Sequence, residues 1–246
     1  MPPVEAAHPA AAMRLSGLDG RVADVTGASS GIGRCVAETL AALGCRVAGI
    51  DLSAGSPAAH ASYAGDVSDE RDLERCFAQI EQDVGSPELL VTCAGIFQET
   101  PIAELGAERW RQTLEVNLTG TFLCARRALP SMRERRFGRI VTLSSGAGID
   151  GGAEACAHYA ASKGGVIALT KALSKEVARE GVTVNAVAPR VVRTPMIAGM
   201  EDDLLPHIPV GRLGEPDDVA GAVAFLCSGH AGYVTGEVFV LNGGWW

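Results

Sequence analysis

The chain is 246 residues long, 47% apolar and 20% charged, a balance that suits a soluble α/β protein with a sizeable core and excludes disorder or coiled coil. Its formal net charge of −8 offers no basic stripe to a phosphate backbone, so nucleic acid is excluded as a partner, and no apolar run approaches the roughly 20 residues of a membrane-spanning helix. The seven cysteines are odd in number and never spaced Cys-x-x-Cys, which indicates neither a disulfide framework nor a metal site and fits a reducing cytoplasm.

In chain order, residues 1–14 read as a flexible tail without the basic start and apolar centre of a secretory signal, and Met13 is a candidate translation start. From 15 to 246 no linker, repeat or charge block interrupts the pattern, which predicts one domain. Strand-like runs at 21–26, 45–51, 60–65, 88–93, 138–144, 182–188 and 237–241 alternate with helical stretches. That alternation predicts a parallel sheet with crossover helices on both faces. Ile32, Val36, Leu40 and Leu43 form one apolar helical face, and Leu73, Phe77, Ile80 and Val84 form the next. A longer helical stretch from about 106 to 136 is expected to turn Trp110, Leu114, Leu118, Phe122 and Leu129 inward, and another runs from about 159 to 180.

After the first strand, Thr26-Gly27-Ala28-Ser29-Ser30-Gly31-Ile32-Gly33 leads directly into a helix. Glycines at such a turn let the backbone approach a pyrophosphate, whose charge then meets the unpaired N–H groups of the helix start. The Gly-x-x-x-Gly-x-Gly spacing also serves as a purely structural turn. Asp51 ends the second strand, where an acidic side chain accepts hydrogen bonds from an adenosine ribose 2′-hydroxyl and repels a 2′-phosphate, favouring NAD over NADP. The simpler reading of Asp51 is a strand-end cap. Asp66-Val67 at the third strand end could line the adenine edge, and Asp66 with Ser68 could cap the following helix.

Tyr159-Ala160-Ala161-Ser162-Lys163 places a phenol and an ammonium four residues apart, hence on one face of a helix. A nearby cation stabilises a phenolate, bringing tyrosine towards a range useful for proton transfer to a carbonyl or from an alcohol. Ser144-Ser145 at the fifth strand end offers a hydroxyl to hold a substrate oxygen, and Asn117 could position a water between lysine and solvent. Each has a structural reading as well: strand-end caps for the serines, a helix-bend residue for Asn117, a solvated charge for Lys163.

Thr26–Gly33, Ala94-Gly95, Asn117, Ser145, Tyr159-x-x-x-Lys163 and Val184-Asn185-Ala186-x-Ala188-Pro189 together resemble the short-chain dehydrogenase/reductase family, over about 15 to 246. The resemblance implies a Rossmann-type doubly wound parallel sheet of seven strands with helices on both faces, in a homotetramer built partly on the two long helices. It also implies catalysis by Tyr159 as general acid/base, with Lys163 lowering its pKa and holding the nicotinamide ribose, Ser145 orienting substrate and Asn117 completing a proton relay. The NAD-binding residues so assigned are Gly27, Ser29, Ser30, Gly31, Ile32, Gly33, Asp51, Asp66, Val67, Cys93, Ala94, Gly95, Tyr159, Lys163, Pro189, Val192 and Thr194.

Three neighbours of the expected site depart from the family pattern. Asp24 stands at a first-strand position that is usually aliphatic, where an unpaired carboxylate costs several kcal/mol. Cys93 replaces an asparagine, removing hydrogen bonds that brace the fourth strand. Arg190 follows Pro189 where glycine is usual, and a positive φ there would strain it by about 1 kcal/mol; it could also reach an acidic substrate. The stretch from Ser145 to Tyr159 is one residue longer than usual, leaving Ser144 as the reserve candidate. The expected substrate lid, about 195–210, carries Met196, Ile197, Met200, Leu204, Leu205 and Ile208, which suits a small or moderately sized apolar alcohol or ketone. The alternatives are a 3-oxoacyl-carrier-protein reductase, disfavoured by Asp51 because such reductases mostly prefer NADPH, and a dinucleotide-binding sensor or scaffold without turnover.

Overall fold

The computed structural model describes residues 15–55 and 59–245; the expected tail and Met13 lie outside the described residues. Seven strands, β1 (Val22–Thr26), β2 (Arg46–Asp51), β3 (Ala61–Ala64), β4 (Leu89–Thr92), β5 (Gly138–Leu143), β6 (Val182–Pro189) and β7 (Val238–Leu241), form one sheet in the order β3-β2-β1-β4-β5-β6-β7. All six pairings are parallel. Each strand lies within one residue of its sequence-predicted ends. The chain reverses its direction of sheet growth between β1 and β4, so their carboxyl ends flank the crevice where ligands collect in open α/β sheets.

The helices are α1 (Gly31–Ala42), α2 (Glu70–Asp83), α3 (Ala107–Leu114), α4 (Gly120–Arg135), α5 (Ala147–Asp150), α6 (Ala157–Val177), α7 (Glu201–Leu204) and α8 (Pro216–Cys227). Strand side chains alternate between two apolar layers. Ala23, Val25, Val47 and Val91 pack with Val36 and Leu40 of α1 and Val219, Val223 and Leu226 of α8. Val22, Ala48, Ile50 and Leu90 pack on the opposite face with Phe77 and Ile80 of α2, Cys124, Ala128 and Met132 of α4, and Val177 of α6.

The long stretch between β4 and β5 departs from a uniform helix. A π-helical segment, Glu115–Thr119, joins α3 to α4. A π turn takes in one residue more than an α turn, so the faces before and after it fall out of phase. The inward residues beyond it are Thr121, Cys124, Ala128 and Met132. Leu129 is buried as expected, Leu114 and Leu118 are half-buried, and Trp110 and Phe122 lie on the outside at 37% and 39% exposure, correcting the expectation that they face inward. The cap of α2 also differs: Asp69 accepts from Arg71 N and Asp72 N, while Asp66 Oδ1 accepts from the N–H and hydroxyl of Ser68 one turn earlier.

Asp24 lies in the second layer, level with Ala48 and Leu90, fully buried with neither carboxylate oxygen hydrogen-bonded. Burial, reinforced by the charge of Glu81 and opposed by Arg127, pushes its pKa well above the ordinary carboxylate range.

Candidate active site

A cavity of about 560 Å3 opens at the carboxyl ends of β1 and β4. Its walls include Gly27, Ser30, Gly31, Ile32 and Gly33 from the first turn, Asp51 and Leu52 after β2, Asp66 and Val67 after β3, and Cys93, Ala94 and Gly95 after β4. Gly27 has φ +67°, and a Cβ there would lie 2.8 Å from the Ala94 nitrogen; at Gly33 a Cβ would come within 2.1 Å of the Gly27 carbonyl. Side chains at either position would break the close packing that makes the turn a phosphate cradle. Asp51 accepts from Ser29 N at 2.9 Å and from Leu52 N at 2.8 Å, so its carboxylate is held in place at the end of β2. Ser29 does not line the cavity; its N–H braces Asp51 and its hydroxyl reaches the Ser53 carbonyl. No lysine or arginine is among the residues that line this cavity.

A second, smaller cavity of about 90 Å3 shares Ile32, Cys93, Gly95, Thr194 and Met196 with the first and is also lined by Ser145, Tyr159, Lys163, Pro189, Arg190 and Val192. Tyr159 and Lys163 come from successive turns of α6, as their spacing predicts. Tyr159 and Ser145 both line this cavity, and the Tyr159 ring meets Phe97 edge-on at 4.9 Å. Ser144 turns the other way and donates to the Lys163 carbonyl at 2.8 Å. Ala155, in the loop between Ser145 and Tyr159, adopts φ +61°.

The electrostatics differ from the expected direction at the tyrosine. Burial raises the Tyr159 pKa, and the Ser145 hydrogen bond only partly opposes it. The Lys163 ammonium donates to the Leu143 carbonyl at 2.7 Å and lies 5.8 Å from the tyrosine ring centre. Burial lowers Lys163 itself to about 8, and Cys93 is pushed up to about 12 by burial, with Lys163 opposing. Lys163 therefore remains largely cationic at pH 7 while weakening the fold. Because the unfolded chain binds this proton more tightly, the penalty is complete below pH 8 and fades as pH rises to about 10.5. Lys163→Met is accordingly expected to raise stability by about 1–2 kcal/mol at pH 7, with the gain over the native chain shrinking between pH 8 and 10.5 in denaturant titrations.

Asn117 sits in the π turn, fully buried. Its amide donates to the Ile96 carbonyl and to Ser162 Oγ, both at 3.0 Å, and its Oδ1 accepts from Ile96 N at 2.8 Å. The side chain thus staples the turn after β4 to α6, leaving only its main chain for a water; both the helix-bend and the site reading apply. Near Cys93, Ala94 N donates to Thr26 Oγ1 at 3.2 Å, while Thr92 Oγ1 is buried without a partner among the described residues. Arg190 does not have positive φ, since among the described residues only Arg136 and Ala155 do so without being glycine; the expected strain is absent. Gln112, Val116 and Ile96 also line the large cavity and were not singled out from sequence, and Met196 of the expected lid lines it too. Gln112 and Val116 share a helical spacing just ahead of Asn117, a signal that could have found them.

Comparison with known proteins gives a consistent set. A family model described as enoyl-(acyl carrier protein) reductase matches residues 27–246. The chain is 39% identical over 239 residues to 3-oxoacyl-(acyl-carrier-protein) reductase FabG of Escherichia coli strain K12, covering 92% of this chain and 98% of that protein. It is 40% identical over 239 residues to the protein of the same name from Vibrio cholerae, with the same coverage. Nodulation protein G of Azospirillum brasilense is 39% identical over 240 residues, covering 91% of this chain and 97% of that protein.

Proposed function

The chain belongs to the short-chain dehydrogenase/reductase family, and on that premise we propose that it interconverts a secondary alcohol and a ketone with NAD(H). The observation that carries the reading is the convergence of Ser145, Tyr159 and Lys163 on one small cavity that adjoins the large one. The dinucleotide, when bound, gives or takes the hydride. Gly27, Ser30, Gly31, Ile32 and Gly33 would hold its pyrophosphate, Asp51 its adenosine ribose, Asp66 and Val67 its adenine edge, and Pro189, Val192 and Thr194 its nicotinamide side.

In the reductive direction Ser145 holds the carbonyl oxygen and the Tyr159 O–H donates its proton to that oxygen as negative charge develops there. The Lys163 cation beside the ring stabilises the phenolate left behind, and Asn117 holds α6 against the Gly95 turn so that these groups stay in register. Oxidation runs the same transfers backwards. Assayed against a panel of small ketones, the full chain should consume NADH in step with ketone lost. NADH binding without turnover across the panel would favour the sensor or scaffold reading instead.

The preference for NAD rests on Asp51 in a cavity without a lysine or arginine in its walls, which leaves a 2′-phosphate beside a carboxylate with no cation to pair. Asp51→Ala is expected to raise the NADPH/NADH ratio of kcat/KM by about tenfold or more; an unchanged ratio in steady-state kinetics would reject the assignment. A second reading, reduction of 3-oxoacyl thioesters, is favoured by the names of the FabG relatives. The exposed Trp110 and Phe122 support a homotetramer built on the long helices. Among the described residues no helix is long and apolar enough to cross a membrane and the cysteines are free, which supports a cytoplasmic protein acting on a small molecule.

A further inference from the structure

Arg190 lines the small cavity and joins three further segments behind it. Arg190, immediately after β6, runs along Gly146, with its Cγ 3.4 Å from where a Cβ on that glycine would stand. Gly146 directly follows Ser145, so the arginine flanks the point at which a substrate oxygen is held. Its guanidinium pairs with the Asp150 carboxylate at the end of α5 and lies over the Trp245 indole, 4.4 Å from the ring centre. The same indole stacks on His207 of the lid segment at 5.2 Å, with 25° between the rings. The substrate loop, the end of β6, the lid and the last residues of the chain are thereby tied into one wall.

Charge and volume decide what that wall does. Burial would raise the Asp150 carboxyl, but its hydrogen bond to Arg190, the Gly152 N–H and the Arg190 charge together keep it below its ordinary value, so it is ionised. The arginine side chain is only 17% exposed and Asp150 35%, so this is a partly desolvated pair that presents no net charge to a substrate. An anionic substrate would first have to displace Asp150. The cavity beside the pair measures about 90 Å3, far below the roughly 300–1,000 Å3 of sites for drug-sized ligands.

We propose that the Arg190–Asp150 pair, braced by Trp245, is a clamp that sets substrate size, admitting small uncharged ketones and alcohols and shutting out acyl thioesters carried on a long flexible arm. The proposal rests on the alcohol/ketone reading and narrows it to a substrate class. Arg190 is then a specificity-determining residue: without it the wall next to Ser145 opens towards solvent.

The test compares butan-2-one, acetoacetate and the S-acetoacetyl thioester of N-acetylcysteamine, each with NADH, on the native full chain, Arg190→Gly and Arg190→Met. The methionine variant keeps an apolar stem on the indole but cannot hold Asp150, and serves if the glycine variant fails to fold. The thioester/butan-2-one ratio of kcat/KM should rise at least tenfold in Arg190→Gly and less in Arg190→Met, with the acetoacetate/butan-2-one ratio within twofold of native. The same three ligands are titrated against NADH complexes carrying an added Tyr159→Phe change, where Kd ratios report access without chemistry. Thioester ratios unchanged within twofold in either variant that folds would overturn the clamp. A tenfold selective loss of acetoacetate would overturn it in favour of Arg190 as a direct anion ligand. If no carbonyl is turned over but the Kd ratios shift as expected, the clamp stands and the oxidoreductase reading falls.

Discussion

Tyr159→Phe is expected to lower ketone reduction by about 10²–10⁴-fold while NADH binds with a Kd within about twofold of native. The change removes one hydroxyl from a ring held by Phe97 and by its place on α6, so the pocket keeps its shape. What disappears is the group that delivers the proton at the substrate oxygen. Because the loss lies in the transition state, kcat and kcat/KM should fall together with KM little changed. Stopped-flow kinetics and fluorescence titration of NADH would check both halves. Turnover retained within about tenfold would move the acid/base role to another residue.

Asp24→Val should stabilise the fold by about 1–3 kcal/mol at pH 7, raising Tm by about 2–4 °C for each kcal/mol in a domain of this size. The carboxyl is fully buried, level with Ala48 and Leu90, and neither oxygen has a partner. Valine matches its volume, suits a strand and adds apolar contact in the layer formed by α2 and α4. The pH dependence has a definite sign. Burial raises the folded-state pKa, so below about pH 4 both states carry the proton and the carboxyl costs little extra. Above that the unfolded chain releases the proton first, and stability falls until the raised folded-state value is passed. The advantage of the valine variant should therefore widen as pH climbs from about 4. A gap that stays flat in calorimetry between pH 4 and 8 would mean that Asp24 finds a partner in solution.

The strands were legible because β-branched runs bounded by turn residues have sharp edges, and parallel strands covered on both faces need no alternation to be recognised. Tyr159 and Lys163 were legible because helical periodicity alone carries both into one cavity. The resemblance assigns Ser145 with Ser144 in reserve, whereas the direction of a hydroxyl, such as that of Ser144 towards the Lys163 carbonyl, is a matter of backbone geometry that spacing does not reveal. The inward positions expected at Trp110 and Phe122 failed for a related reason. A π turn is a backbone insertion with no residue signature of its own, and periodicity counted through it loses phase.

The extra residue in that π turn is a vernier between two registers. Removing one residue from 115–119 would restore uniform winding, at roughly 100° per residue, and would force one end of the helix to rotate against its surroundings. If the rotation fell on α3, Gln112 and Val116 would swing away from the cavity; if it fell on α4, Cys124, Ala128 and Met132 would leave the core. The chain can therefore retune the pocket wall and the core layer independently only while that residue is kept, so deletions there should be far less tolerated than substitutions at the same positions.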